Sequence, residues 1–152
     1  MTKSLDEPSV GRKWRISVTL VVTGFPGTLL ELSRQIGMPA DRSLPAGEPV
    51  GPRAVRAADI WIIDAGSDKE LSLQEQLRTL LERVSSVAPQ LSRLPPPTSV
   101  TICCGILDYT RDVSLNFDAD ALSAMAQMNA SLDVDYYDMS RIGADRPGQP
   151  SE

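Results

Sequence analysis

The chain contains no histidine. The commonest proton carrier at neutral pH and the commonest transition-metal ligand are missing together, which sets aside zinc centres and Ser-His chemistry. Cysteine is scarce as well. Cys103 and Cys104 are the only two, and neighbours on a strand point to opposite faces, badly placed to bridge each other or to share a metal. Reduced thiols in a cytoplasmic protein fit that pattern. No long apolar run is present: Ile16 to Val22 is interrupted by Ser17 and Thr19 and follows an acidic, polar leader, so neither a signal peptide nor a membrane span is expected. Positive charge is not in excess either. With a net charge of -5 and a pI of about 4.7, general attraction to nucleic acid or to anionic lipid is not expected. No glycine-rich phosphate cradle follows a strand, so nucleotide binding has no motif to rest on and no cofactor is expected.

What is present reads as one domain. The 152 residues are enough for a core without a staple, since folding at this size buries roughly 68 to 70 percent of the surface of the unfolded chain. Residues 1–12 and 141–152 mix charge, proline and glycine without an apolar period and are expected to be flexible tails around a domain at 13–140. Trp14, Ile16, Val18, Leu20 and Val22 alternate with more polar residues, a first strand with one strongly apolar face. Thr28 and Glu31 form a capping box for a short helix through Leu32 and Ile36 that closes at Gly37. From Met38 to Arg56 the breakers Pro39, Pro45, Gly47, Pro49, Gly51 and Pro52 predict a long loop. A flexible connection is the plain reading of such a loop and a binding surface the sharper one.

Ile60 to Ile63 predict a short strand covered on both faces. Ser72 and Glu75 open the longest helix, with Leu73, Leu77, Leu80, Leu81 and Val84 in one stripe, and Pro89 is expected to end or kink it. Val100, Ile102, Cys104 and Ile106 predict a central strand, and Val113, Leu115 and Phe117 a second strand paired with it as a hairpin. Asp118 caps a helix through Leu122 and Met125, and Leu132, Val134 and Tyr136 alternate with Asp133, Asp135 and Tyr137 in a last strand. This order predicts an α+β fold: a two-layer sandwich with a mainly antiparallel sheet of about five strands, helices on one face, and a ferredoxin-like topology as its relative.

The first strand, the helix ending in Ile36-Gly37-Met38-Pro39-Ala40-Asp41-Arg42-Ser43, the Trp61 strand, the Leu-rich helix and Ala130-Ser131-Leu132-Asp133-Val134-Asp135-Tyr136 follow one another from about Trp14 to Tyr137. Together they resemble the bacterial DUF4279 family. In that family an aromatic residue usually follows the Arg-Ser or Arg-Thr pair; here Leu44 takes that position, and the family's nearby glycine is present as Gly47. The resemblance implies a compact α+β domain and carries no activity with it.

Candidate chemistry is sparse. Asp133 and Asp135 share a strand face with Asp138 beyond, but no calcium loop with a glycine turn accompanies them, so a solvated face is the expectation and no metal site is read. Asp118 and Asp120 fit favourable charge at a helix start. Cys103 and Cys104 fit packing, with no histidine to take a thiol proton. Tyr109 and Arg111, in the connection after the central strand, form one candidate recognition patch, with Tyr137 near the end of the last strand. Arg42, Arg53 and Arg56 flank the long loop and form another, with Asp41, Glu48 and Asp59 close enough in sequence to neutralise them.

The expected function is a non-catalytic module that binds a protein partner whose identity the residues do not give, with an immunity or antitoxin-like role as one form. One alternative is a small-molecule-binding or hydrolytic domain using surface carboxylates and Arg42. Another is the structural subunit of a homodimer, so both monomer and homodimer stay open.

Overall fold

The computed structural model describes residues 13–141, and the expected tails lie outside that range except for Arg141. Strand β1, Trp14–Thr23, buries Ile16, Val18, Leu20 and Val22 and leaves the alternate residues half-buried, as a two-residue period requires. Helix α1, Leu29–Ile36, opens on the Thr28–Glu31 capping box and ends at Gly37, which takes the left-handed conformation at φ 86° that a glycine adopts without a Cβ penalty. Between them Gly24 sits so close to Pro97 that a Cβ would lie 2.8 Å from its carbonyl oxygen.

The proline-rich stretch is more ordered than a loop. Strand β2, Arg42–Leu44, occupies the proline-free interval between Pro39 and Pro45 and pairs with the sheet, while β3, Pro49–Gly51, and β4, Ala54–Val55, form a separate two-stranded hairpin. Prolines exclude a central strand, but not a short edge or an isolated hairpin. Strand β5, Ile60–Asp64, follows, with Trp61 and Ile63 fully buried and Ile62 nearly so.

Helix α2, Leu73–Val84, has the second capping box, Ser72–Glu75, and packs Leu73, Leu77, Leu80 and Val84 inward. Pro89 lacks an N–H and cannot extend the ladder. The chain therefore passes through a 3-10 turn at Ser85–Val87 into the short helix α3, Ala88–Ser92, with proline in its first turn. Strand β6, Ser99–Asp108, then helix α4, Ala119–Gln127, and strand β7, Ser131–Asp138, complete the order.

The main sheet has the order β2-β5-β1-β6-β7 and is antiparallel except between β6 and β7, which run parallel as neighbours joined through α4. The architecture is the expected α+β sandwich, with one hydrophobic core between the sheet and its helices. In a ferredoxin-like order the two strands of each strand-helix-strand unit are split by another strand, whereas β7 lies directly beside β6.

One expected strand does not form. Residues 112–118 run as an irregular segment on the helix side, where Gln74 Nε2 donates to the carbonyls of Ser114 (3.0 Å) and Asn116 (3.2 Å) and where Val113 and Phe117 pack against the core. The alternation Val113-Leu115-Phe117 gives an apolar face, but both edges of β6 are already taken by β1 and β7. The hairpin reading is corrected accordingly.

The face of the sheet away from the helices carries no second layer among the described residues. Its register sets Thr19 beside Cys103 and Ser17 beside Gly105, with Asp133 and Asp135 next to them on β7.

Candidate functional site

The long stretch between α1 and β5 separates its three arginines. Arg42, on β2, faces the open side of the sheet and donates through Nε (3.2 Å) and Nη2 (3.0 Å) to the two carboxylate oxygens of Asp64. Arg56 folds into the hairpin base, where Nη1 meets Glu48 at 3.2 Å and the Pro45 carbonyl at 3.3 Å. Arg53, in the turn between β3 and β4, is exposed and has no hydrogen bond or ion pair within the described residues. Every residue from 45 to 55 is exposed, including Val50 at 55% and Val55 at 65%.

The hairpin is nonetheless fixed at its base. The Gly47 N–H donates to the Arg56 carbonyl and the Arg56 N–H to the Glu48 carbonyl, both at 2.8 Å, while Asp59 accepts from the Ala46 N–H at 2.7 Å. A defined two-stranded element thus presents two valines and a cation that has no partner among the described residues.

Beside β2 lies an ionic cluster that wraps the sheet margin. From α2, Arg83 makes a two-pronged ion pair with Asp41, with Nη2 to Oδ1 at 2.6 Å, and also donates to the Asp64 carbonyl at 2.8 Å. Asp41 accepts the Asp64 N–H at 2.7 Å. The Arg83 hydrogen bonds, helped by that N–H and opposed by desolvation, hold the Asp41 carboxyl below its usual range. Arg42 and Arg83, with Arg15 and Lys69, line a shallow groove of about 600 Å³ on the open sheet face.

The second sequence-predicted patch is built around a carboxylate that was not among the candidates. Asp108 ends β6 fully buried and accepts the Tyr136 hydroxyl at 2.7 Å, with N–H groups of Arg111 (2.8 Å), Thr110 (3.2 Å) and Val113 (3.2 Å). Burial raises its carboxyl, but these four donors outweigh burial and the pKa falls below the usual value. Arg111, at a positive φ of 63°, donates to Asp138 and to the Ser140 hydroxyl, both at 3.0 Å. Tyr109 is half-buried, its N–H bonded to the Lys13 carbonyl. The network closes the turn after β6 and ties it to the end of β7.

The cysteines divide as their parity requires. Cys104 is buried in the core and its thiol is pushed up to about 12, chiefly by burial. Cys103 is on the open face, where burial and then Asp133 and Asp135 raise its pKa. Neither is a ready thiolate at neutral pH. Among the described residues no three His, Cys, Asp or Glu side chains are grouped closely enough to hold a metal ion, and no helix is long and apolar enough to cross a membrane.

The model of the DUF4279 family, a domain of unknown function, matches residues 12–139. The chain belongs to the DUF4279 family. That match spans every element from β1 to β7. No curated protein and no solved structure matches the chain. Within this DUF4279 domain, the residues that sequence reasoning passed over are Asp64, Arg83 and Asp108, and Asp41, expected only as a neighbour of the loop arginines, pairs with Arg83 instead. Asp108 left a readable signal: it occupies the position after Val100, Ile102, Cys104 and Ile106 in the buried parity of β6, so a carboxylate was due on the core face.

Proposed function

We propose that this DUF4279 domain is a non-catalytic binding module for another protein and that the β3–β4 hairpin is its contact element. The observation that carries this reading is the presentation of Val50, Val55 and Arg53 on a hairpin whose base is hydrogen-bonded. Exposed apolar groups flanked by an exposed cation fit a contact surface, and arginine is among the residues that concentrate binding energy. Because the hairpin is held in shape before contact, little conformational freedom is lost on association. The complementary partner presents an apolar patch beside a carboxylate. The two unbridged cysteines support a cytoplasmic setting.

The alternative that places a small molecule or a hydrolytic reaction at Arg42 is less well supported, because Asp64 already occupies one edge of its guanidinium. A photo-crosslinking side chain at position 50 tests the preferred reading. A discrete adduct formed in cells from position 50, and absent from the exposed position 122 on α4, is the expected result. Equal labelling from both positions removes the hairpin as the contact element.

A further inference from the structure

The two margins of the main sheet end differently. β2 is a three-residue edge followed at once by Pro45, and a proline cannot donate to a ladder, so that margin offers little to a further strand. β7 is longer and open. It runs for eight residues without a proline and, among the described residues, is paired on one side only, with β6.

Two hydrogen bonds fix which backbone groups of β7 are left over. The Tyr109 N–H donates to the Lys13 carbonyl on the β1 side of β6, and the Met139 N–H donates to the Asp108 carbonyl on the β7 side. Successive residues of an extended chain turn their N–H and C=O groups to opposite edges, so Tyr137, Asp135 and Asp133 follow Met139 toward β6. Leu132, Val134 and Tyr136 then direct both groups away from the sheet. No backbone group meets these three outer edges among the described residues.

The side chains of the edge divide by face. On the helix side Val134 is half-buried, while Leu132 and Tyr136 are still 37% and 40% exposed, within reach of side chains on a neighbouring strand. On the open side Asp133 and Asp135 are exposed and have no hydrogen bond or ion pair among the described residues, and Tyr137 beside them is exposed as well. The edge is apolar on one face and acidic on the other.

We propose that β7 receives one further strand from a partner protein, an extended segment whose residues alternate between apolar and basic. Its backbone takes up the free groups of Leu132, Val134 and Tyr136, its apolar side chains extend the cover over those three residues, and its cations face Asp133 and Asp135. Tyr137 adds an aromatic face for one of the cations. A second copy of this chain suits the edge less well, because antiparallel pairing of β7 with itself about position 133, 134 or 135 sets an aspartate directly opposite an aspartate.

This inference does not rest on the β3–β4 hairpin, which is a separate two-stranded element, so either reading can fail alone. The test is backbone amide hydrogen exchange of the full chain, followed by NMR, with a capped peptide in which valine and lysine alternate over the length of β7 as the probe. Exchange at Leu132, Val134 and Tyr136 is expected to slow at least about tenfold at saturation. A peptide of the same composition with its valines and lysines in two blocks is expected to leave those amides unchanged. Asp133→Asn combined with Asp135→Asn, checked as folded by circular dichroism, is expected to weaken binding of the alternating peptide at least about fivefold, and added salt to weaken binding to the parent. No slowing at the three amides overturns the proposal. So does equal slowing by the block peptide, or equal affinity of the folded double variant. Amides already protected in the chain without peptide show that a second copy or another segment of the chain holds the edge, with sedimentation separating the two, and that result overturns it as well.

Discussion

Tyr136 donates its hydroxyl to Oδ2 of the buried Asp108 across 2.7 Å, joining β7 to the end of β6. The bond ties the edge strand to the turn that starts the crossover between these parallel neighbours. Because Asp108 also holds three backbone N–H groups, the carboxylate is the anchor and Tyr136 one of its four donors.

Removing the anchor is expected to cost more than removing one donor. Asp108→Ala leaves four donors without their acceptor and should destabilise by about 3 kcal/mol, whereas Tyr136→Phe should cost about 1 to 2 kcal/mol, the range for a single hydrogen bond to a charged group. Urea denaturation of the two variants measures both. Equal losses, or a loss below about 0.5 kcal/mol for Asp108→Ala, contradict the assignment of Asp108 as anchor.

The pH dependence follows from the same carboxylate and from Asp41. Both have pKa values lowered in the folded chain from an ordinary value of 3.8, Asp41 chiefly by the Arg83 hydrogen bonds and Asp108 by donors that overcome its burial. The unfolded chain therefore takes up protons first as pH falls. The stability these groups contribute is complete above their unfolded values and is lost as pH falls through their folded ones. The urea midpoint is expected to be level between about pH 7 and pH 5 and to fall below about pH 4, less steeply in Asp108→Asn. A midpoint that holds or rises on acidification argues against this balance.

Within α2, depth of burial separates adjacent leucines. Leu77 and Leu80 are buried, whereas Leu81 is only partly so and lines a 470 Å³ groove between α2 and α4. Leu77→Ala and Leu80→Ala should each destabilise by about 2 to 5 kcal/mol, and Leu81→Ala by less. A larger loss at Leu81 than at Leu80, measured by thermal or urea unfolding, places the inward face of the helix elsewhere.

Gln74 holds the irregular crossover through two carbonyls. Gln74→Ala is expected to speed hydrogen exchange across residues 113–118 while β6 and β1 keep their protection, since local opening follows local contacts. Unchanged exchange in that segment indicates that Val113 and Phe117 alone fix it to the core.

Much of the fold was legible because local signals agreed with one another. Both capping boxes, Thr28–Glu31 and Ser72–Glu75, begin helices, and the parity of Ile16, Val18, Leu20 and Val22 marks the buried face of β1. Residues 113–117 misled because an alternating pattern specifies an apolar face and not a partner strand. Val113 and Phe117 pack against the core beside α2, while Leu115 is exposed. The long loop misled in the opposite sense: proline density hid β2 and the β3–β4 hairpin, which need few ladder bonds. Sequence adjacency also grouped Arg42, Arg53 and Arg56, although only the folded chain assigns Asp64 to the first and Glu48 to the last. Arg83 reaches Asp41 across 42 positions of sequence, a pairing no local pattern announces.

Recognition by the hairpin is tested most directly on the partner captured from position 50. Its dissociation constant is measured by titration calorimetry against the parent domain and against Val50→Ser, Arg53→Ala, Val55→Ser combined, with circular dichroism as the check of fold. These residues are exposed, so the combined variant should remain folded. Loss of two apolar contacts and a cation is expected to weaken binding by at least about tenfold, as removal of hot-spot side chains does. Equal affinity of the two forms, with both folded, contradicts the assignment of β3–β4 as the contact element.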